Sequence, residues 1–172
     1  EGGVATCNEP ALAARMERLR SHGITRDPEQ MSRPPDGPWY YEQIELGYNY
    51  RMTELQAALG LSQLARLDDY IARRNELAQR YDAAFAPTCI ATQQVMENRL
   101  SAYHLYVVRV PAEQRLQIFQ NLRDHGVGAN VHYIPVYRHP DLEMFNCNAN
   151  YLINAENYYS EALTLPLYQN LS

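Results

Sequence analysis

With 172 residues, 46% of them hydrophobic and 20% charged, the chain is long enough to bury a core and is expected to form one domain or slightly more. A formal net charge of -5 and a pI near 5.5 exclude the basic face of a general nucleic-acid binder, while leaving room for local arginine sites that bind small anions. All 15 Lys+Arg residues are arginine, so no side chain offers the amine that a Schiff base or a Walker phosphate loop needs.

In chain order, Gly2 to Thr6 reads as a strand end or tight loop, and Asn8 with Pro10 as a helix start. Leu12, Met16 and Leu19 recur at helical spacing, which predicts a helix over 11–22 stopped by Gly23. From Thr25 to Leu46, four prolines, Gly37 and the cluster Trp39, Tyr40 and Tyr41 predict a long loop, ordered by its aromatics or else a linker.

Thr53 with Gln56 reads as a capping box before Leu55, Leu59, Leu64 and Leu67, in a helix expected to bend near Asp68-Asp69. A second helix over 70–85 puts Ile71, Leu77, Tyr81 and Phe85 on one side, with Arg73, Arg74, Glu76 and Arg80 toward solvent and Pro87 as the stop. Strands are then expected at 104–110 and 127–133, helices at 112–125 and 154–163, and a turn or edge segment at Leu165-Pro166-Leu167. That order indicates an α/β or α+β unit, with the boundary between about Leu64 and Phe85.

No apolar run is long enough to span a bilayer, and the first residues lack the regions of a signal peptide. Cys7, Cys89 and Cys147 are far apart and form no metal-ligand spacing, which reads as a reduced, cytoplasmic protein without a metal. The chain opens on Glu1-Gly2-Gly3 and stops at Asn170-Leu171-Ser172, and both ends read as cut.

Two segments are candidates for chemistry. Gly47 to Thr53 precedes a capped helix, where the dipole favours an anion, with Asn49 as an amide donor and Arg51 as a charged fork. The competing reading has Asn49 capping a turn and Arg51 paired with an acid such as Glu54. The run from Asn130 to Pro140 gathers His132, Tyr133, Tyr137, Arg138 and His139 around two prolines, as a pocket lining or a structural aromatic cluster. Those prolines prevent one helix from aligning His125, His132 and His139 on a metal-binding face.

The segments E-G-G-V-A-T-C-N, L-R-S-H-G-I, G-Y-N-Y-R-M-T-E-L-Q-A-A-L-G-L-S-Q-L, H-L-Y-V-V-R-V, H-G-V-G-A-N-V-H-Y-I-P-V-Y and L-P-L-Y-Q-N-L together resemble the DegT/StrS aminotransferases, in order and over essentially the whole chain. The resemblance implies an α/β type I fold dependent on pyridoxal phosphate (PLP), like that of aspartate aminotransferase. Residues 1–66 would be the end of its large domain with a dimer-interface loop, and 67–172 the truncated small domain.

It further implies a homodimer in which Asn49 and Arg51 reach the PLP phosphate of the neighbouring subunit, with Tyr48, His132 and Tyr133 near the sugar nucleotide. The implied substrates are glutamate and a nucleotide-linked 4-keto-6-deoxy sugar, most similar to the UDP-linked N-acetylhexosamine of the pseudaminic acid route. The lysine that binds PLP would lie upstream, so this chain alone is expected to be inactive and to carry no catalytic residue. A non-catalytic binding module and one half of a split enzyme are the alternatives, and isolated chains are expected to associate through uncovered apolar surface.

Overall fold

The computed structural model describes residues 2–145 and 151–172; Glu1 and Cys147 lie outside the described residues. The backbone clusters into two compact units, Glu1–Ala65 and Arg66–Ser172, and each is described by itself.

In the first unit, α1 (Pro10–Arg20) begins with proline in its first turn, where the missing N–H would have had no helical partner. It stops because His22 and Gly23 take φ of 64° and 68°, and the Gly23 N–H donates back to the Arg18 carbonyl at 2.9 Å. A two-residue antiparallel pair follows, β1 (Ile24–Thr25) against β2 (Glu42–Gln43), with Ile24 opposite Gln43.

The segment 26–41 between those strands is ordered by polar bonds, and its tryptophan is not the cause, since Trp39 is 73% exposed. The Ser32 N–H and hydroxyl both donate to the Glu42 carboxylate. Arg33 donates to the Tyr40 hydroxyl, which donates in turn to Glu42. Helix α2 (Glu54–Leu64) then starts at a complete capping box, in which Gln56 N–H donates to Thr53 Oγ1 and Thr53 N–H to Gln56 Oε1. None of its residues is buried, so the leucines spaced for a core find none among the described residues of the first unit.

The second unit opens with α3 (Leu67–Phe85). The break falls at Ala65-Arg66 rather than at Asp68-Asp69, because both aspartates occupy the first turn of α3, where the helix dipole favours negative charge. Arg73 and Arg74, expected in solvent, are half-buried and donate to backbone carbonyls, Leu171 O at 2.8 Å and Tyr103 O at 2.9 Å.

After α3 come β3 (Ala91–Thr92), β4 (Tyr106–Arg109), α4 (Arg115–Asp124), 3-10 turns at Val136–Arg138 and Pro140–Phe145, α5 (Ile153–Glu161) and β5 (Ala162–Leu165). The strands form one antiparallel sheet in the order β3-β4-β5. Alternation along β4 sends Tyr106 and Val108 inward, opposite Leu165 and Leu163 of β5. These four side chains form the core with Leu77 and Ala78 of α3, and Ile118, Phe119 and Leu122 of α4 pack against it. Each fully buried leucine of this kind, such as Leu163, contributes roughly 1.5–3 kcal/mol.

Two sequence expectations fail here. The segment 127–133 is not a strand: Gly126 takes φ of 79°, the Ala129 N–H turns back to Val127 O, and only Asn130 pairs, across to Thr164. The last helix ends at Glu161 instead of Leu163, because Ala162–Leu165 is an apolar strand that completes the sheet and Pro166 bars further helix. The short β1 and β2 flank the stretch whose composition signalled a loop, and β3 lies where no element was expected.

Candidate functional site

The segment after Gly47 hangs on the end of α1. Tyr48 N–H donates to Leu19 O, His22 N–H to Tyr48 O, and Tyr50 N–H to Arg20 O, all at 2.8 or 2.9 Å. Asn49 thereby forms an isolated bridge with Ser21. The close crossing requires glycine at two places, since a Cβ on Gly47 would lie 2.1 Å from the Gly23 nitrogen and one on Gly23 would lie 1.9 Å from Glu45 O. Glu45 locks the crossing by accepting from Arg18 Nε at 2.6 Å and Arg15 Nε at 3.2 Å. Arg18 first, then Arg15, holds the Glu45 carboxyl below its ordinary range.

In this extended stretch Tyr48 and Tyr50 share one face and stack, with centroids 4.9 Å apart and planes 11° apart. The two-residue alternation sets Asn49 and Arg51 on the other side. Both are exposed, and among the described residues neither side chain has a hydrogen-bond or ion-pair partner. Neither the turn cap by Asn49 nor the Arg51–Glu54 pair is formed. The capping box already uses the Gln56 N–H, and Glu54 puts negative charge in the first turn of α2. The donors left for an anion are therefore chiefly the Asn49 amide and the Arg51 guanidinium, which borders a cleft of about 410 Å³ with Gly2, Gly3, Tyr50, Met52 and Gln56.

The second cluster belongs to the second unit. His132 is half-buried, with Nδ1 2.9 Å from Thr164 Oγ1 and Nε2 3.4 Å from Asn130 Nδ2. Tyr133 is 68% exposed and meets the imidazole edge-on, at 4.7 Å between centroids and 76° between planes. The Tyr158 hydroxyl donates to the His132 carbonyl at 3.4 Å, and Tyr158 also borders a groove of about 630 Å³ against β4, with His104, Val107 and Arg109.

Beyond Pro135, Tyr137 donates to Glu156 at 2.7 Å and Arg138 pairs with the same carboxylate. Arg138, then Tyr137, lowers the Glu156 pKa. The guanidinium groups of Arg138 and Arg115 both lie over the Tyr159 ring, at 4.8 and 5.2 Å from its centroid. No group of three or more His, Cys, Asp or Glu side chains suited to a metal occurs among the described residues.

The structure thus brings Tyr48, Asn49 and Arg51 together in one unit, and His132 with Tyr133 in the other. Sequence reasoning missed Thr164 and Tyr158 as partners of His132. The signal for Thr164 was a lone hydroxyl in the apolar alternation of Leu163-Thr164-Leu165.

Residues 1–172, the entire chain, match the model of the DegT/DnrJ/EryC1/StrS aminotransferase family. The chain belongs to this family. Among DegT/DnrJ/EryC1/StrS relatives, it is 38% identical to the spore coat polysaccharide biosynthesis protein SpsC of Bacillus subtilis (strain 168), over 100% of this chain and 46% of that protein. It is 32% identical to the UDP-4-amino-4,6-dideoxy-N-acetyl-beta-L-altrosamine transaminase of Campylobacter jejuni (strain 81-176), over 100% of this chain and 44% of that one.

Two solved structures share its fold. One is Helicobacter pylori PseC, an aminotransferase involved in the biosynthesis of pseudoaminic acid, with TM-score 0.81, 29% identity and coverage of 96% of this chain and 43% of that one. The other is Spr1654 of Streptococcus pneumoniae in its PMP form, with TM-score 0.84, 29% identity and coverage of 96% and 40%. The same protein is also solved in a PLP form. The chain spans somewhat less than half the length of these relatives, and over that span it has their mixed α/β fold.

Proposed function

We propose that this chain is the C-terminal part of a PLP-dependent aminotransferase, one that moves an amino group from glutamate to a nucleotide-linked 4-keto-6-deoxy sugar. The observation that carries this reading is the family match along the entire chain, joined to two exposed donors, Asn49 and Arg51, whose side chains have no partner among the described residues. Relatives named for UDP-amino-sugar transamination and for pseudoaminic acid support a UDP-linked N-acetylhexosamine as the substrate.

In this reading residues 1–66 close the large domain and carry a dimer-interface loop, 67–172 form the small domain, and the enzyme is a cytoplasmic homodimer. PLP, when bound, supplies the electron sink for amino transfer. The residues present fit its phosphate end: Asn49 and Arg51 donate to the phosphate oxygens of the neighbouring subunit's cofactor. They do not fit its reactive end, because the chain has no lysine. Each unit, taken by itself, contributes residues for the sugar nucleotide: Tyr48 in the first, and in the second His132, an imidazole fixed in place, with Tyr133, an exposed aromatic edge.

The test is amino transfer from glutamate to a UDP-linked 4-keto-6-deoxy-N-acetylhexosamine, assayed for the 172-residue chain alone and for a longer polypeptide that includes the upstream lysine. The expected result is turnover only in the longer form, with Arg51→Ala raising the PLP concentration needed for half-maximal activity. Turnover by the chain alone would overturn the proposal. The alternative reading is a binding module without catalysis. In that case the longer form binds UDP-sugar and does not transaminate.

A further inference from the structure

We propose that Thr164 and Asn130 form a clamp that fixes both the orientation and the tautomer of His132. The two residues are locked to one another through the backbone, since Asn130 N–H donates to Thr164 O at 3.0 Å and Thr164 N–H to Asn130 O at 2.8 Å. Both backbone groups of Thr164 thus point away from β4. The side chain lies on the face of the sheet opposite Leu163 and Leu165, shared with its partner Val107, and Thr164 is only 5% exposed. From this one bridge, each side chain reaches a different nitrogen of the His132 ring.

The direction of each bond follows from a third contact. Asn130 Oδ1 accepts from the Val131 N–H at 2.8 Å, so its oxygen is committed and its NH2 group is the one that faces His132 Nε2. A nitrogen that receives a hydrogen bond carries no proton of its own. The neutral His132 ring is therefore protonated at Nδ1, which donates to Thr164 Oγ1 at 2.9 Å. Tyr158, bonded to the His132 carbonyl, and Tyr133, edge-on to the ring, restrict rotation further.

The clamp stands on this geometry alone; its consequence for ligand binding rests on the reading of His132 as a sugar-pocket residue. There it presents Nε2 as an acceptor, held at the edge of the ring only by the long 3.4 Å bond to Asn130, which a ligand hydroxyl can replace. Thr164 is then a positioning residue that touches no ligand.

The test is long-range 1H–15N correlation spectroscopy of the 172-residue chain labelled with 15N-histidine, with His132 assigned by its loss in H132Q. One set of signals for the Nδ1–H tautomer is expected. T164V keeps the shape of the side chain but removes the acceptor, and is expected to shift His132 toward the Nε2–H form, while T164S retains the Nδ1–H form. N130A preserves the backbone bridge and the buried hydroxyl, and is expected to release Nε2 into a tautomer mixture even if T164V fails to fold. An Nε2–H ring in the unaltered chain, or a tautomer unmoved by T164V and N130A, would overturn the clamp. Titration with UDP-N-acetylglucosamine separates the two claims: if T164V changes the tautomer and leaves the affinity for this probe unchanged, the clamp stands and the pocket reading falls.

Discussion

Gly47 crosses Gly23 so closely that the position of a Cβ on Gly47 falls 2.1 Å from the Gly23 nitrogen. Backbone atoms on the far side of the crossing cannot step aside as a side chain would. Gly47→Ala is therefore expected to cost at least the about 1–3 kcal/mol typical of overpacking, and to loosen the segment that carries Asn49. A thermal melt of G47A indistinguishable from that of the unaltered chain would contradict the crossing.

The buried Tyr106 hydroxyl donates to Asp82 at 2.5 Å, and burial, reinforced by that carboxylate, pushes its phenol far above the ordinary tyrosine range. Tyr106 should therefore stay protonated at alkaline pH until the chain unfolds. In a spectrophotometric titration, Y106F is expected to match the unaltered chain through the native tyrosine range. Removing a hydrogen bond to a charged partner should also lower stability by about 1.5–3 kcal/mol in chemical denaturation.

Acid should destabilise the chain through Glu42, Glu45 and Glu156. The largest causes of their lowered pKa values are the Ser32 backbone N–H, Arg18 and Arg138, respectively. A folded-state pKa below the unfolded one means the bond contributes stability above the ordinary value of 4.5, and that stability is lost as pH falls through the lower folded value. Melting temperature should thus fall as the pH drops below that point. E45Q should flatten part of the slope, and an identical pH profile in E45Q would remove Glu45 from the cause.

Leu55, Leu59 and Leu64 on α2 are exposed, with Leu55 at 85%. Apolar surface of this kind drives association, so sedimentation velocity of the isolated chain is expected to show oligomers that dissociate on dilution. L59E should shift the distribution toward monomer. A single monomeric species at working concentration would show that this face does not self-associate.

The elements most legible in the sequence were those with strong local chemistry. The Thr53–Gln56 capping box, the apolar face of α3 and the alternation of β4 are all set within a few residues. Illegible elements depend on distant partners. β5 exists because its apolar residues meet β4 more than fifty residues earlier in the chain, which overrides the helical reading of Leu163, and the 127–133 stretch loses its strand to two local turns. The candidate donors Asn49 and Arg51 were legible by type, but their lack of partners was not, and the Thr164 clamp needed the sheet to bring two remote segments together.

The excursion 26–41 leaves and returns through the paired residues of β1 and β2, and its own polar bonds close on Glu42. Its ends are therefore fixed independently of its contents. Lengthening such a closed loop is cheap, about 0.6 kcal/mol per doubling of its length, so insertions or replacements between Arg26 and Tyr41 can remodel this surface without displacing Asn49. The excursion is framed so that its contents can change while the strands that hold it stay the same.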